Sequence, residues 1–220
     1  IKHYTHNHMP LYKEITIDEA SELRLWQVEE TIETLEKDIE LSPYCKARYD
    51  VMKSEMHRKA FFSIRHLLKS FGYTDFDLEY DQNGKPHLKD GKHISISHSY
   101  HFTAVIVSDK PVGIDVEKQR EKIKYIAPKF TPIEEYKSLG NGDDLIKKLT
   151  IVWGAKESIY KLFGKKGLLF LYDIYVHDFD FKASTTRANV NHKGLKRDYL
   201  LKFFEIEDFI CVYAIEPKNQ

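Results

Sequence analysis

The sequence predicts an α+β fold built from two similar halves that meet near residue 112. Two observations carry that prediction. Helix-length amphipathic segments precede short alternating strands twice along the chain. The strands within each half are separated by brief turn signals, as antiparallel neighbours require. A chain of 220 residues suits one large domain or two small ones, with ample length to bury a core. The halves are expected as residues 1–111 and 112–220.

The elements follow in order. Over residues 18–40, Leu23, Trp26, Ile32, Leu35 and Ile39 fall near helical spacing and Asp18 suits the N-cap, so a helix is predicted there. Residues 42–73 open with Ser42 before Pro43, a cap and first-turn pair, and end at Gly72; a long helix broken near its middle is expected. FDLEY (76–80), the turn DQNGKP (81–86), HISIS (93–97) and FTAVIV (102–107) then read as strands and turns. SDKP (108–111) turns the chain into the strand GIDVE (113–117). In the second half, IKYIAPKF and PIEEYKSL suit short helices, and residues 144–164 a strong helix stopped by Gly164. Residues 174–181, 199–206 and 209–215 close the chain as strands.

Composition narrows the function. Lys plus Arg and Asp plus Glu are both 34, so no global charge draws the chain to nucleic acid or to an anionic membrane. No apolar run has the length of a bilayer span, and the start lacks the continuous apolar core of a signal peptide, so a cytoplasmic protein is expected. Cys45 and Cys211 stand far apart without a C-x-x-C, as small buried apolar residues of a reducing compartment do. His3, His6 and His8 carry metal-binding side chains, but nothing nearby completes a shell, and a polar, poorly ordered terminus is the expectation.

Three stretches carry chemistry. In PVGIDVEK (111–118), Asp115 and Glu117 project from one face of a strand while Ile114 and Val116 project from the other. Two such charges about 7 Å apart repel by roughly 2 kcal/mol at an effective dielectric of about 20. A solvated face tolerates that repulsion; in a cleft the pair calls for a cation. In WGAKESIYK (153–161), Trp153, Glu157 and Lys161 form one stripe of a helix, either a surface ion pair beside a core tryptophan or the wall of a cleft. Glu157 then adds a third oxygen ligand, and three oxygens with room for water and phosphate suit Mg²⁺. In NGKPHLKDGKHISISHS (83–99), the Asn83-Gly84 turn presents Lys85 beside the rigid ring of Pro86. Ser97, His98 and Ser99 end a strand where hydroxyls, imidazole and backbone N–H groups converge on an anion, with Lys85, Lys89 and Lys92 expected nearby. A structural histidine at a strand end remains the alternative. A Ser–His nucleophile is disfavoured, since adjacent strand residues face opposite ways and no acid is placed to orient His98.

G-I-D-V-E, followed about forty residues on by W-x-x-K-E-S-x-x-K and preceded by G-K-P and S-I-S-H-S, resembles the 4′-phosphopantetheinyl transferases. By length the resemblance is to the surfactin-synthetase-activating type, whose single chain is two similar α/β halves forming a pseudo-dimer. By motif it covers roughly residues 55–170. It implies transfer of the phosphopantetheine arm of coenzyme A to a serine of an apo acyl or peptidyl carrier protein, by a monomer acting with Mg²⁺ in the biosynthesis of fatty acids, polyketides or nonribosomal peptides. It implies Asp115, Glu117 and Glu157 as metal ligands and Lys161 as the catalysis-associated lysine, with Glu157 or a metal-bound water as base. It further implies that Lys85 and Pro86 lie against the adenine end of coenzyme A and that His98 contacts its 3′-phosphate, with Lys161 beside the transferred phosphate. Asn83, Gly84, Ser97 and Ser99 are expected beside them as coenzyme A-binding residues. Arg58 and Arg65 resemble family arginines, with Lys46 and Arg48 as added charge; a solvated helix face fits the latter two equally. Phe130-Thr131 departs from the Phe-Phe of many relatives, on the side expected to meet the carrier protein around residues 118–140. A Mg²⁺-dependent nucleotide phosphohydrolase and a non-catalytic binding module are the alternatives.

Overall fold

The computed structural model describes residues 11–164 and 166–216, so His3, His6 and His8 lie outside the described residues. From Lys13 the chain is already a strand, β1 (Lys13–Asp18), paired antiparallel with β2 (Ser21–Gln27). This corrects the helix expected over 18–40. Ser21, Leu23 and Leu25 are buried in alternation with Glu22 and Arg24, a period of two that only a strand presents to one face. Asp18 caps no helix: its Oδ1 accepts the Ala20 N–H in the turn between the strands. Helix survives only in α1 (Ile32–Glu36), which has Thr31 as its N-cap.

The broken helix is found as expected. α2 (Pro43–Asp50) starts on Ser42, whose hydroxyl accepts the Cys45 N–H, and α3 (Glu55–Ser70) starts on Ser54. A short hairpin, β3 (Leu78–Tyr80) and β4 (Pro86–Leu88), precedes β5 (His93–Ser99) and β6 (Phe102–Ser108). Every residue of β6 is buried, which requires a neighbour on each edge and cover on each face. The four-stranded sheet meets the first demand with the order β1-β2-β6-β5.

The second half opens on β7 (Val112–Lys118), passes through α4 (Lys122–Ile126) and α5 (Ile133–Ser138), and reaches the long α6 (Asp143–Phe163). α7 (Phe170–Asp173), β8 (Ile174–Val176), β9 (Thr185–His192), β10 (Leu195–Ile206) and β11 (Phe209–Ile215) complete it, in a five-stranded sheet of order β7-β11-β10-β9-β8. Both halves follow one path: a strand, a long helix, then a hairpin whose last strand pairs with the first.

Strand alternation stacks the layers. Val105 and Val107 of β6 pack with Ile64, Leu67 and Leu68 of α3. Phe102, Ala104 and Ile106 pack instead against Val112, Ile114 and Val116 of β7 and Cys211 of β11. Ile210, Val212 and Ala214 of β11 face α6. The order is therefore helix, sheet, sheet, helix. α6 lies close on its sheet because glycines meet it there. A Cβ on Gly113 would stand 1.8 Å from the Ser158 carbonyl oxygen, and one on Gly154 would stand 2.8 Å from Val212 Cγ2. Among the described residues no helix is long and apolar enough to cross a membrane. Cys45 and Cys211 are buried and unpaired, as expected.

Candidate active site

Because Gly113, Asp115 and Glu117 share the face of β7 that α6 covers, both carboxylates are carried beneath the helix bearing Trp153, Glu157 and Lys161. Asp115 is buried; its Oδ1 accepts hydrogen bonds from Lys161 Nζ at 2.8 Å and Ser97 Oγ at 3.0 Å. Its Oδ2 has no donor among the described residues. Glu117 Oε1 accepts the Trp153 indole N–H at 3.4 Å, and the indole packs edge-on against Phe130.

Burial, then the Asp115 charge, pushes Glu117 up to about 7. Glu157 is likewise pushed up to about 7, by burial first and then by Asp115, with Glu117 adding to it and Lys161 opposing. Burial also raises Asp115 against the pull of Lys161 and Ser97. Three carboxylates thus share one field that Lys161, with Arg120 acting on Glu117, offsets incompletely. That field and the unpartnered Oδ2 fit a hard divalent cation with oxygen ligands. Among the described residues no three His, Cys, Asp or Glu side chains already converge as a cation cage.

Beside the acids opens a cavity of about 470 Å³, lined from the first half by Arg48, His57, Tyr80, Lys85 and His98 and from the second by Tyr160, Lys161 and Lys166. Asn83, Gly84, Lys85 and Pro86 line it through the β3–β4 hairpin, where the sequence placed them. Lys85 reaches across to α6 and donates to the Leu162 carbonyl at 2.9 Å; burial lowers its pKa. His98 lines the cavity with its ring 5.6 Å from that of His57, and burial, then His57 and Lys161, keeps it below the usual imidazole range.

Other expected contacts fall elsewhere. Ser97 and Ser99 do not line the cavity; together with Ser95 they point at β7, and their hydroxyls accept the N–H groups of Ile114, Val116 and Lys118 at 3.1–3.3 Å. β7 is the edge of its sheet, and these serines satisfy the amides that a neighbouring strand would otherwise pair. Arg65 borders the cavity, but its guanidinium is committed to Asp75 at 2.8 Å, to the Phe61 carbonyl and to Cys45 Sγ. Arg58 lies outside the cavity lining and donates to the Tyr49 hydroxyl at 2.5 and 2.9 Å. Lys46 pairs with Asp50, Lys89 with Glu79 and Lys92 with Asp109, and none of the three lines the cavity.

Sequence reasoning missed His57, although His57, Phe61, Ile64 and Arg65 line the cavity at the helical spacing that defines one face. Tyr80, Tyr160 and Lys166 were missed as well. So was a buried pair behind the site: Lys156 donates to the carbonyls of Phe170 at 2.9 Å and Ile174 at 2.7 Å and lies 3.3 Å from Glu135.

Residues 111–214 match the sequence profile of the 4′-phosphopantetheinyl transferase superfamily. A 4′-phosphopantetheinyl transferase of Bacillus subtilis is 33% identical over 100 residues, which are 44% of this chain and 42% of that protein. The 4′-phosphopantetheinyl transferase Sfp of Bacillus subtilis strain 168 is 31% identical over 96 residues, 42% and 43% of the two chains. The 4′-phosphopantetheinyl transferase gsp of Aneurinibacillus migulanus is 33% identical over 105 residues, 46% and 44%. Each match spans less than half of the relative's length. The likeness is to 4′-phosphopantetheinyl transferases of the Sfp type, and the α+β architecture agrees with it. The matched segment holds Asp115, Glu117, Glu157 and Lys161, whereas the hairpin, His57 and His98 come from the preceding half.

Proposed function

We propose that this chain transfers the 4′-phosphopantetheine arm of coenzyme A to a serine of an apo acyl or peptidyl carrier protein, releasing 3′,5′-ADP. One observation carries the reading: a buried and two half-buried carboxylates in a single field adjoin, through Lys161, a cavity whose walls are lysine, histidine, arginine and aromatic side chains. A nucleotide that bears several phosphates needs both surfaces, cations for the phosphate oxygens and aromatic faces for the base. In the same reading residues 1–111 contribute most of the nucleotide's walls and residues 112–220 the acids, with both halves in one monomer.

Asp115, Glu117 and Glu157 are the residues that would hold Mg²⁺, which supplies charge neutralisation on the pyrophosphate oxygens when bound. The chain's own side chains do the rest. Lys85 and His98, with His57 and Arg48 nearby, hold the phosphates at the adenosine end, and Tyr80 and Pro86 offer flat surfaces to the base. The carrier serine Oγ attacks the phosphorus that bears the pantetheine arm. The bond from that phosphorus to the bridging oxygen breaks, the electron pair leaves with 3′,5′-ADP, and the serine proton goes to a base. Glu157 is the side chain nominated for that proton. Positioning and electrostatics dominate, as in phosphoryl transfer generally.

The test is intact-mass measurement of an apo carrier protein incubated with the chain, coenzyme A and Mg²⁺. The reading expects a gain of one phosphopantetheine arm, absent with Glu117→Ala and with EDTA. Breakdown of coenzyme A without a carrier protein, and no mass gain with one, would make the chain a phosphohydrolase instead.

A further inference from the structure

We propose that Asp75 is a positioning residue for the cavity: from outside the lining, it fixes against one another the three elements that form the first-half wall. The proposal rests on the reading of that cavity as the nucleotide's and adds what holds the wall in place. Asp75 sits in a single helical turn (Asp75–Asp77) that runs directly into β3. Its Oδ1 accepts Arg65 Nε of α3 at 2.8 Å. Its Oδ2 accepts the backbone N–H and the hydroxyl of Ser42, each at 2.8 Å, and Ser42 is the N-cap of α2. One carboxylate thus joins α2, α3 and the β3–β4 hairpin. Each of those elements gives the cavity side chains: Arg48 from α2, His57 from α3, and Tyr80 and Lys85 from the hairpin.

This seam lies behind the wall. The Arg65 and Asp75 side chains are 3% and 0% exposed, and the guanidinium carbon stands 3.4 Å from the centroid of the Phe61 ring. Asp75 does not line the cavity, so a nucleotide bound there leaves its contacts as they are. Burial opposes the charged form of Asp75, but Arg65 and then the Ser42 donors outweigh it and hold the carboxyl below its usual range. Arg65 also ties the two helices directly, its Nη2 meeting Cys45 Sγ of α2 at 3.1 Å. The element that depends most on the seam is α2, since a helix of eight residues is too short to stand alone. Cys45 and Tyr49 pack it on Phe61 and Phe62, and Asp75 pins its first residue. At the cavity itself α2 and β3 meet again, where the Arg48 guanidinium lies 4.5 Å from the centroid of the Tyr80 ring. Asp75, bonded to the start of α2 and leading into β3, sets that meeting from behind.

Titration calorimetry of 3′,5′-ADP in EDTA tests this without carrier protein or metal. It compares the wild-type chain with Asp75→Asn, Ser42→Gly, Ser42→Thr, Arg65→Met and the double variant Arg65→Met with Asp75→Asn, each checked for folding by circular dichroism. Glycine caps a helix nearly as well as serine, so Ser42→Gly removes the hydroxyl bond to Asp75 and little else. Asp75→Asn should raise Kd about tenfold and Ser42→Gly about threefold, with Ser42→Thr near the wild type and the stoichiometry held at about one. Arg65 acts through Asp75, so Arg65→Met and the double variant should match Asp75→Asn within about twofold. If the Asp75 and Arg65 variants do not fold, the Ser42 pair decides alone. A fall in stoichiometry with Kd unchanged would make the seam purely structural and overturn the proposal. Arg65→Met binding far more weakly than Asp75→Asn, with the two effects adding in the double variant, would make Arg65 a phosphate contact and overturn it equally. A wild-type chain that takes no 3′,5′-ADP would overturn the reading of the cavity together with the proposal, whereas wild-type binding with unaltered variants would overturn the proposal alone.

Discussion

Helix α6 carries two lysine–carboxylate pairs five residues apart, one buried and one half-buried, and they are finished differently. Lys156 is fully buried, with two carbonyls and Glu135 as partners, while Glu135 Oε1 accepts the Val176 N–H at 2.6 Å and its Oε2 faces the ammonium. Lys161 is equally well supplied with acceptors, and Asp115 Oδ2, like Glu135 Oε2, is buried without a hydrogen bond, but two further carboxyls share the field of Asp115. The first pair binds α5, α7 and β8 to α6 and sets one lysine against one carboxylate. The second is electrostatically open on one side, as a ligand-binding acid is. A buried ion pair by itself therefore says little about function, and the excess of carboxylates around Asp115 says much more.

The largest expected effect separates the open pair from the closed one by chemistry. Asp115→Asn keeps the shape and an acceptor for Lys161 but loses the charge, and transfer to a carrier protein should fall on the order of 1000-fold in an intact-mass time course. The closed pair responds in stability. Lys156→Met strands the Glu135 carboxyl in the core and should cost about 3–5 kcal/mol in urea unfolding, and adding Glu135→Leu should recover most of it.

The acids add a pH signature with a definite sign. Glu157 and Glu117 hold protons in the folded state up to about 7, whereas the unfolded chain releases them near 4.5. The folded state is therefore penalised progressively as pH rises between those values, and fully above them. Glu157→Gln should gain on the order of 2 kcal/mol at about pH 8 and nothing near pH 4, read from thermal melts at both.

Smaller effects fall on the cavity wall. Lys85→Ala should raise the KM for coenzyme A roughly tenfold with kcat little changed, as loss of one charged phosphate contact would. Arg58→Ala, which removes a side chain outside the cavity lining, should change that KM by less than about twofold.

The acids were legible in the sequence because strand and helix periodicity fix which side chains share a face: Asp115 with Glu117, and Glu157 with Lys161. The cavity hairpin was legible because Asn83-Gly84 specifies its turn. What periodicity could not supply was the partner of each side chain. Arg65 has the look of a phosphate ligand until Asp75, ten residues on, is seen to occupy it. Ser97 and Ser99 resemble anion donors until β7 is found with its edge turned to them. Residues 21–27 were misread because Leu23, Trp26, Ile32 and Leu35 fit a helical stripe as well as Leu23 and Leu25 fit a strand, and only the pairing of β2 with β6 decides between the two. β9 was missed because its TTRANVNH sequence buries only alternate small or polar residues.

The most direct test of the account is the melting temperature with and without Mg²⁺ at about pH 8, where the acids are ionised. Relief of the shared charge predicts that Mg²⁺ stabilises the wild-type chain by several degrees and Asp115→Asn hardly at all. An equal Mg²⁺ response in both would place the cation elsewhere and contradict the account.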